Sequence, residues 1–267
     1  MMEFTTDCRL CPRLANFLDE VRAAQPDYFA RPVPSFGDHH ARFLIVGLAP
    51  GMHGANRTGR PFTGDYAGNL LYSTLHHFGF SSSDQPLDVA NNPNAKLVLL
   101  DCRITNAVRC LPPQNKPEPA EVRQCNHYLA QELHRLPQGA AVLALGTVAH
   151  AAVLRALNLR AKDYPFAHGA QHMLPNSLLK NVTSEDRARR EMAKKRSLLN
   201  VSEHFEPLSN AVMSSAVVFQ QTVNGLRLYD SYHCSRYNTQ TKRLDEAMFH
   251  AVFSAIRTYL RTLPTAG

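Results

Sequence analysis

Four of the six cysteines occur in two pairs that could together hold a metal centre. Cys8 and Cys11 form a C-x-x-C pair, and Cys110 and Cys125 are separated by fourteen residues. Four thiolates from two distant parts of a chain can ligate either a tetrahedral zinc ion or a 4Fe-4S cluster, and spacing alone does not choose between them. Zinc ribbons usually use two tight C-x-x-C turns, and the wide second pair departs from that form. We interpret Cys102, which abuts an apolar run, as a small buried hydrophobic residue.

Alternating buried strands and amphipathic helices are predicted along most of the chain. A helix follows the C-x-x-C pair, because apolar residues recur at helical spacing from Leu14 to Val21. Further helices are predicted at Asp65–Phe78, Pro119–Leu136, Thr147–Leu157 and Leu244–Leu263. Near-continuous apolar runs predict four strands, at Arg42–Leu48, Leu97–Asp101, Ala141–Leu145 and Leu226–Asp230. This order is typical of an α/β fold, so we predict three α/β/α layers around a central four-stranded parallel sheet.

Unusual polar residues follow the predicted strands. The segments at these points are Gly47–Gly51, Thr105–Asn106, Gly146–Thr147 and His233–Arg236. Ligands of parallel α/β sheets bind outside the carboxyl ends of the strands. We therefore expect the side chains of Asn106 and His233 to point into one shared crevice.

The domain organisation predicted from the sequence is a single domain over residues 1–267. A polar insertion at about 175–215 interrupts the unit between the third and fourth strands. Its segment Lys180–Arg196 holds seven basic and three acidic residues, so it carries a net charge of +4. A solvated helix or disordered loop and a DNA-contacting arm are both compatible with this composition.

Composition indicates the class of partner and the compartment. Lys and Arg outnumber Asp and Glu by 29 to 22, and the sequence pI of about 9.2 is compatible with a polyanionic partner such as nucleic acid. The N-terminus lacks a signal-peptide pattern, and no apolar stretch reaches the ~18 residues of a membrane span. We therefore expect a cytoplasmic protein that does not enter a membrane, with cysteines that act as ligands or buried side chains.

Three segments of the chain resemble motifs of a known family. Gly47–Asp65, Ile104–Cys110 and Tyr232–Thr241 are similar to the first, middle and last motifs of the uracil-DNA glycosylase superfamily, in its iron–sulfur branch called family 5 or type B. This resemblance implies a 4Fe-4S cluster on Cys8, Cys11, Cys110 and Cys125. It also implies a monomeric enzyme that binds DNA, removes uracil and other deaminated bases such as hypoxanthine, and leaves an abasic site.

The resemblance also implies roles in catalysis. A glycosylase extrudes its target base from the duplex, and Phe62 would be the aromatic ring on which that base stacks, although a Phe in such a loop also often serves as an anchor. His233 would donate a hydrogen bond to a carbonyl oxygen of the departing base. Asn106 or Asn56 would hold the attacking water through an amide oxygen.

Other residues of these motifs have less defined roles. Ala49 stands where other branches carry an acidic or amide residue that activates water, so water activation must differ here. His53 and Asp65 are further catalytic candidates, and we favour a helix-capping role for Asp65.

Contacts with the substrate backbone are assigned in the same way. Gly51, Gly54 and Gly64 would let backbone amides approach a phosphate or base closely. Gly47 and Ala49 would also line the substrate site, and Ser235 and Arg236 would contact DNA where the base has left.

Two other functions are compatible with parts of the sequence. The basic composition and the four thiolates also fit a non-catalytic, metal-stabilised nucleic-acid-binding module. A nucleotide-processing α/β enzyme is disfavoured, because the glycine-rich loop lacks both G-x-x-x-x-G-K-S/T and G-x-G-x-x-G.

Overall fold

A computed structural model describes residues 3–84, 97–175 and 225–263 of the chain. Within them, the α-helices are α1 (Pro12–Ala24), α2 (Ala55–Thr58), α3 (Tyr66–His77), α4 (Pro119–Arg135), α5 (Thr147–Ala156), α6 (Arg236–Gln240) and α7 (Glu246–Arg261). The strands are β1 (Phe36–Gly37), β2 (Phe43–Gly47), β3 (Cys102–Asn106), β4 (Ala141–Leu145), β5 (Gln171–Met173) and β6 (Arg227–Ser231). Short 3-10 turns lie at Pro113–Asn115 and Ala161–Asp163.

The strands form one six-stranded sheet with the order β1-β3-β2-β4-β6-β5. The four inner strands are parallel, as the sequence predicts, and the two short outer strands pair antiparallel. The prediction of a four-stranded, wholly parallel sheet was therefore wrong at both edges. Strands of two and three residues are too short to show a hydrophobic period, so the sequence gives no signal for β1 and β5.

Alternate residues of the inner strands pack into two apolar cores, one on each face of the sheet. On one face Phe43 and Ile45 pack with residues of α3 and α7, and on the other Leu44 and Val46 pack with residues of α4 and α5. This arrangement confirms the three α/β/α layers. A third core joins α1 to the segment around Cys110 and to Tyr128 of α4.

The second predicted strand was placed five residues too early. The run Leu97–Asp101 precedes β3, and Asp101 has a positive φ of 50°, which ends extended structure before the strand begins. The strand itself contains Arg103 and Thr105, both buried, so its sequence looks less apolar than the segment before it. Cys102 is fully buried, as predicted.

The predicted insertion at about 175–215 lies almost entirely outside the described residues. No helix in the described segments is long and apolar enough to cross a membrane.

Candidate active site

The carboxyl ends of the parallel strands lie side by side at one edge of the sheet. Gly47, the last residue of β2, pairs with Asn106, the last residue of β3, and Leu145 at the end of β4 pairs with Ser231 at the end of β6. The Gly146 N–H donates a hydrogen bond to the Ser231 carbonyl at 2.8 Å, which joins the loops after β4 and β6. The convergence of strand ends expected from the sequence is therefore present.

The missing side chain of Gly47 makes room for two predicted site residues. A Cβ atom at this position would overlap Asn106 Oδ1 and would come within 2.7 Å of Phe62 Cζ. Contacts below 3.0 Å are essentially never made by real Cβ atoms. The Asn106 amide and the edge of the Phe62 ring therefore share the space that Gly47 leaves open.

Phe62 is held in an unfavourable backbone conformation. Its φ is 56°, in the left-handed region that bulky residues rarely adopt, and its side chain is buried. The preceding carbonyl, Pro61 O, accepts a hydrogen bond of 3.0 Å from the hydroxyl of the fully buried Tyr72. Such strain persists only where surrounding contacts fix it, and it is found preferentially at functional sites.

The His233 ring stacks on the Phe62 ring. Their centroids are 5.8 Å apart and their planes differ by 28°. The carbonyl of His233 accepts a hydrogen bond of 2.8 Å from Asn238 Nδ2, which ties the loop after β6 to α6. His233 and Asn106 are thus both close to the Phe62 ring, His233 by stacking on it and Asn106 through the space beside Gly47.

Burial lowers the pKa of His233 to about 4. The cause is desolvation alone, because taking an imidazolium out of water is unfavourable without a compensating charge. His233 is therefore neutral at pH 7, and a neutral imidazole donates one hydrogen bond while adding no positive charge to the crevice.

Two asparagine side chains are buried with hydrogen-bonding atoms that find no partner among the described residues. Both amide atoms of Asn56 and the Oδ1 atom of Asn106 are in this state. Buried polar atoms are nearly always paired in folded proteins, so an unpaired one requires an explanation such as a bound water or ligand. The amide of Asn106, which borders the crevice, is thus free to bind a ligand or a water.

Asp65 serves as the N-cap of α3, as favoured from the sequence. Its side chain accepts a hydrogen bond from Gly68 N at 3.2 Å, and burial raises the pKa of its carboxyl. It packs against the glycine-rich loop, where a Cβ atom at Gly54 would come within 2.8 Å of Asp65 Cγ. His53 lies at the surface of this loop, and its Nδ1 is 2.7 Å from the Tyr28 hydroxyl.

The remaining predicted contact residues lie around this edge. A Cβ atom at Gly51 would lie 3.3 Å from Asp65 Oδ2, so Gly51 also faces that carboxylate. Ala49 is half-buried and packs against the core that surrounds the cysteines. Ser235 is the N-cap of α6, accepting from Asn238 N at 3.4 Å, and Arg236 follows it on the exposed surface.

The four cysteines lie around one cavity between α1, the start of α4 and the loop after β3. This cavity is lined by Cys8, Cys11, Cys110 and Cys125 and otherwise mainly by apolar side chains. Burial raises the pKa of the Cys110 and Cys125 thiols, and burial together with neighbouring thiols and Glu121 raises that of Cys11 to about 11. A cationic centre would offset this cost of ionising clustered thiols.

The grouping of four thiols fits a metal centre without identifying it. Four thiolates can ligate either a tetrahedral zinc ion or a 4Fe-4S cluster. The cavity between the four cysteines is the place where either centre would lie.

Two hydrogen bonds point toward this cysteine centre. The Tyr128 hydroxyl donates to Cys8 Sγ at 3.5 Å, and the Arg109 backbone N–H donates to Cys125 Sγ at 3.4 Å. The Arg109 guanidinium stacks over the Phe4 ring at 4.8 Å from its centroid. The contacts of Tyr128 and Arg109 with the cysteines were not predicted from the sequence. The only indication in the sequence is that Arg109 is adjacent to Cys110.

Comparison with known proteins identifies the family to which the chain belongs. The family model "Uracil DNA glycosylase superfamily" matches residues 34–257. The chain belongs to the uracil DNA glycosylase superfamily. It is similar to a Type-5 uracil-DNA glycosylase of Thermus thermophilus, with 41% identity over 249 residues that cover 91% of this chain and 90% of the relative.

Further relatives match over a smaller part of their length. A Type-5 uracil-DNA glycosylase of Mycobacterium bovis is 42% identical over 170 residues, which are 61% of this chain and 62% of the relative. A Type-4 uracil-DNA glycosylase of Pyrobaculum aerophilum is 32% identical over 136 residues, which are 51% of this chain and 59% of the relative. The resemblance to family 5 of the superfamily is thus confirmed.

Proposed function

We propose that this member of the superfamily is a uracil-DNA glycosylase that hydrolyses the N-glycosidic bond of uracil in DNA and leaves an abasic site. The observation that carries the proposal is the grouping of a neutral His233, the strained Phe62 and the buried Asn106 at the carboxyl edge of the sheet. The similarity to Type-5 uracil-DNA glycosylases over nearly the whole chain supports the same reaction.

The base must leave the duplex before its glycosidic bond can be reached. An extruded uracil would stack on the Phe62 ring, with the His233 ring moving aside to admit it. The Phe62 backbone and the Tyr72–Pro61 hydrogen bond hold the Phe62 ring in place. The His233 ring beside it brings an N–H donor within reach of a pyrimidine carbonyl oxygen. The absent side chain of Gly47 allows the base to approach the sheet edge.

His233 assists departure of the base as a hydrogen-bond donor. Cleavage leaves negative charge on the uracil ring, most of it on the carbonyl oxygens, and a fixed donor in a water-poor site stabilises that charge. Because the pKa of His233 is about 4, its ring is neutral at pH 7 and donates a hydrogen bond through its single N–H.

Water attacks the sugar after the glycosidic bond has largely broken. Ala49 has only a methyl group and cannot remove a proton, and Asp65 is engaged at the N-terminus of α3. The unpaired Oδ1 of Asn106 would orient the water, with Asn56 as the second amide of the site. An amide is too weak a base to deprotonate water before a sugar cation forms, so the reaction is dissociative.

DNA is held from the rim of the crevice. Ser235 and Arg236 begin α6 directly beyond His233, and Tyr237 is 71% exposed beside them. These groups would contact the backbone and the minor groove at the position that the base has left. The residues 1–267 would act as a single domain, since one sheet takes strands from residue 36 to residue 231.

Cys8, Cys11, Cys110 and Cys125 would hold a 4Fe-4S cluster. Its contribution would be structural, because hydrolysis of an N-glycosidic bond transfers no electron. These residues tie α1 to α4 and to the loop after β3, which begins at Asn106. Purified protein should be brown, with four irons per chain, and a colourless protein that carries zinc would contradict this assignment.

The decisive test is release of uracil from a synthetic oligonucleotide with a single uracil. Protein with its metal centre intact should leave an abasic site that alkali cleaves, and a matched thymine oligonucleotide should stay intact. Binding of the uracil strand with no base release would instead support the non-catalytic module. A panel with hypoxanthine or xanthine in the same position tests the wider range of deaminated bases, which we also propose as substrates.

A further inference from the structure

A second group of metal-ligand side chains lies at the β5 side of the sheet. His150 comes from the first turn of α5, Asp230 from β6 and His172 from the edge strand β5. One ligand atom from each lies within 4.8 Å of the other two, and the three side chains are 4%, 0% and 12% exposed, in the order given. We refer to these residues as the His150 trio.

The hydrogen bonds of His150 fix where its proton lies. Its Nε2 atom is 2.8 Å from the Tyr164 carbonyl, which can only accept, so Nε2 carries a hydrogen. Its Nδ1 atom is 2.7 Å from Asp230 Oδ1. In a neutral imidazole with Nε2 protonated, Nδ1 is a hydrogen-bond acceptor, and it would face a carboxylate oxygen that is also an acceptor. A cation between the two atoms, either a proton or a metal ion, is required.

We propose that the His150 trio binds one divalent transition-metal ion, with zinc as the best match to its donors. The ligands would be His150 Nδ1, His172 Nε2 and a carboxylate oxygen of Asp230, a set of two imidazoles and one carboxylate that zinc binds commonly. The Nε2–H of His150 then makes the contact to a backbone carbonyl that metal-bound histidines usually make. The ion also neutralises a carboxylate that is wholly buried.

Aromatic side chains pack around the trio. The Phe166 ring lies 5.6 Å from the His150 ring and the Tyr164 ring lies 5.8 Å from the His172 ring. His172 Nε2 is 3.2 Å from Asp230 Oδ2, close to the ~3.3 Å expected between ligands of a tetrahedral ion with bonds of ~2.0–2.1 Å. His150 Nδ1 is only 2.7 Å from Asp230 Oδ1, a separation that also fits a shared proton, so these two atoms would move apart by about 0.6 Å when the ion binds. A water would complete the coordination of an ion with three protein ligands.

The ion would add a further link to the β5 edge of the sheet. β5 has three residues and pairs only with β6 among the described strands. A ligand from each of β5, β6 and α5 joins this edge to the helical layer. The β6 strand leads directly into the His233 loop, so the ion would also steady one wall of the active site.

Zinc content tests the proposal directly. Protein with its iron centre intact is exposed to zinc, desalted and analysed for zinc and iron together. Wild-type protein should retain one zinc ion per chain, and the His172→Gln variant should retain none. The control variant His134→Gln, which changes an exposed histidine of α4, should retain one zinc ion like the wild type. Equal zinc in wild type and His172→Gln would overturn the proposal and leave a protonated His150–Asp230 pair.

X-ray absorption at the zinc edge of the wild-type protein provides a test that needs no variant. Nitrogen and oxygen neighbours at ~2.0–2.1 Å place the ion on the His150 trio, whereas sulfur neighbours at ~2.3 Å place it on the cysteines and contradict the proposal. Zinc should also raise the melting temperature of wild-type protein and leave that of His172→Gln unchanged.

Discussion

Two buried polar regions of this protein differ in how well their groups are paired. At the strand-end site, Asn106 Oδ1 has no partner among the described residues, and the half-buried His233 has no charged group that stabilises its protonated form. Behind it, Glu132 of α4 accepts hydrogen bonds from Ser35, Arg103 and Arg109 at 2.6 to 3.2 Å. We call this second region, with Ser35, Arg103, Arg109 and Glu132, the Glu132 network. Its charged groups are paired with one another, although Arg109 Nε is buried without a hydrogen-bond partner among the described residues.

The different pairing of the two regions indicates that one serves function and the other stability. Arg103 belongs to β3 and lies three residues before Asn106, so the same strand carries a paired charge at its centre and an unpaired amide at its end. Unpaired buried groups cost stability and persist where they bind a ligand, whereas a paired network holds the strand in place. Substitutions in the first region should therefore reduce activity, and substitutions in the second should reduce stability.

Replacement of His233 should give the largest effect on activity. His233→Ala removes the donor to the departing base, and loss of one such donor typically slows turnover by about 10²- to 10³-fold. Single-turnover release of uracil measures the rate, and DNA binding by fluorescence anisotropy measures affinity. The melting temperature should fall only slightly, because the half-buried side chain has no charged partner and loses only its stacking contact with Phe62.

Two further variants sharpen this prediction. His233→Gln keeps a neutral donor and should recover part of the lost rate, and His134→Ala on the far end of α4 should keep full activity. If His233→Ala weakened DNA binding as much as turnover, the histidine would serve binding and not the chemical step.

Replacement of Glu132 should give the largest effect on stability. Burial opposes ionisation of Glu132, but hydrogen bonds from Arg103 and Ser35 and the charge of Arg109 outweigh it and lower its pKa to about 2. Relative to an ordinary value of 4.5, this shift corresponds to about 3 kcal/mol. The contribution is complete above pH 4.5 and disappears as pH falls through 2.

Urea unfolding at pH 7 measures this effect. Glu132→Gln should lower the free energy of unfolding by about 3 kcal/mol, whereas the exposed Glu20→Gln should change it by less than about 0.5 kcal/mol. At urea concentrations too low to unfold it, Glu132→Gln should release uracil at most of the wild-type rate. A stable variant with greatly reduced turnover would show that the network acts on catalysis.

The sequence predicts the strand-end site better than the network behind it. Motif residues such as Asn106 and His233 follow strands directly, and parallel strand ends meet at one edge whatever the details of packing. Arg103 and Glu132 look like ordinary surface charges in the sequence, because their burial depends on a pairing across 29 residues. This hidden pairing is also why β3 was predicted five residues too early.

The local geometry of the site likewise could not be predicted from the sequence. A positive φ at Phe62 and the fit of its ring over Gly47 depend on contacts with Tyr72, which lies in a helix ten residues later. The His150 trio shows the same limit, since its members are far apart in the chain and no spacing rule connects them. Spacing does reveal the cysteine centre, because ligand pairs are often local.

Replacement of Asn106 should slow the reaction less than replacement of His233. Asn106→Ala removes an oxygen that orients water but leaves the departing-base donor in place, so we expect a tenfold to hundredfold decrease in single-turnover rate. Because the lost amide oxygen is unpaired in the wild type, the free energy of unfolding should stay within about 1 kcal/mol. Asn56→Ala is the matched comparison. If Asn106→Ala reacted at the wild-type rate and Asn56→Ala reacted slowly, Asn56 would be the residue that orients the water.

The smallest expected effect is that of mild acid on the His233-dependent step. With a pKa of about 4, His233 stays neutral from pH 8 to pH 5 and gains a second proton only as pH falls through 4. The ratio of wild-type to His233→Gln single-turnover rates isolates the contribution of the histidine, since pH effects on DNA binding are common to both proteins. The ratio should be nearly constant between pH 8 and 5. A histidine with an ordinary pKa of about 6.5 would become mostly protonated over this range, so a change of the ratio in either direction between pH 8 and 5 would mean that the crevice is open to water and not a desolvated site.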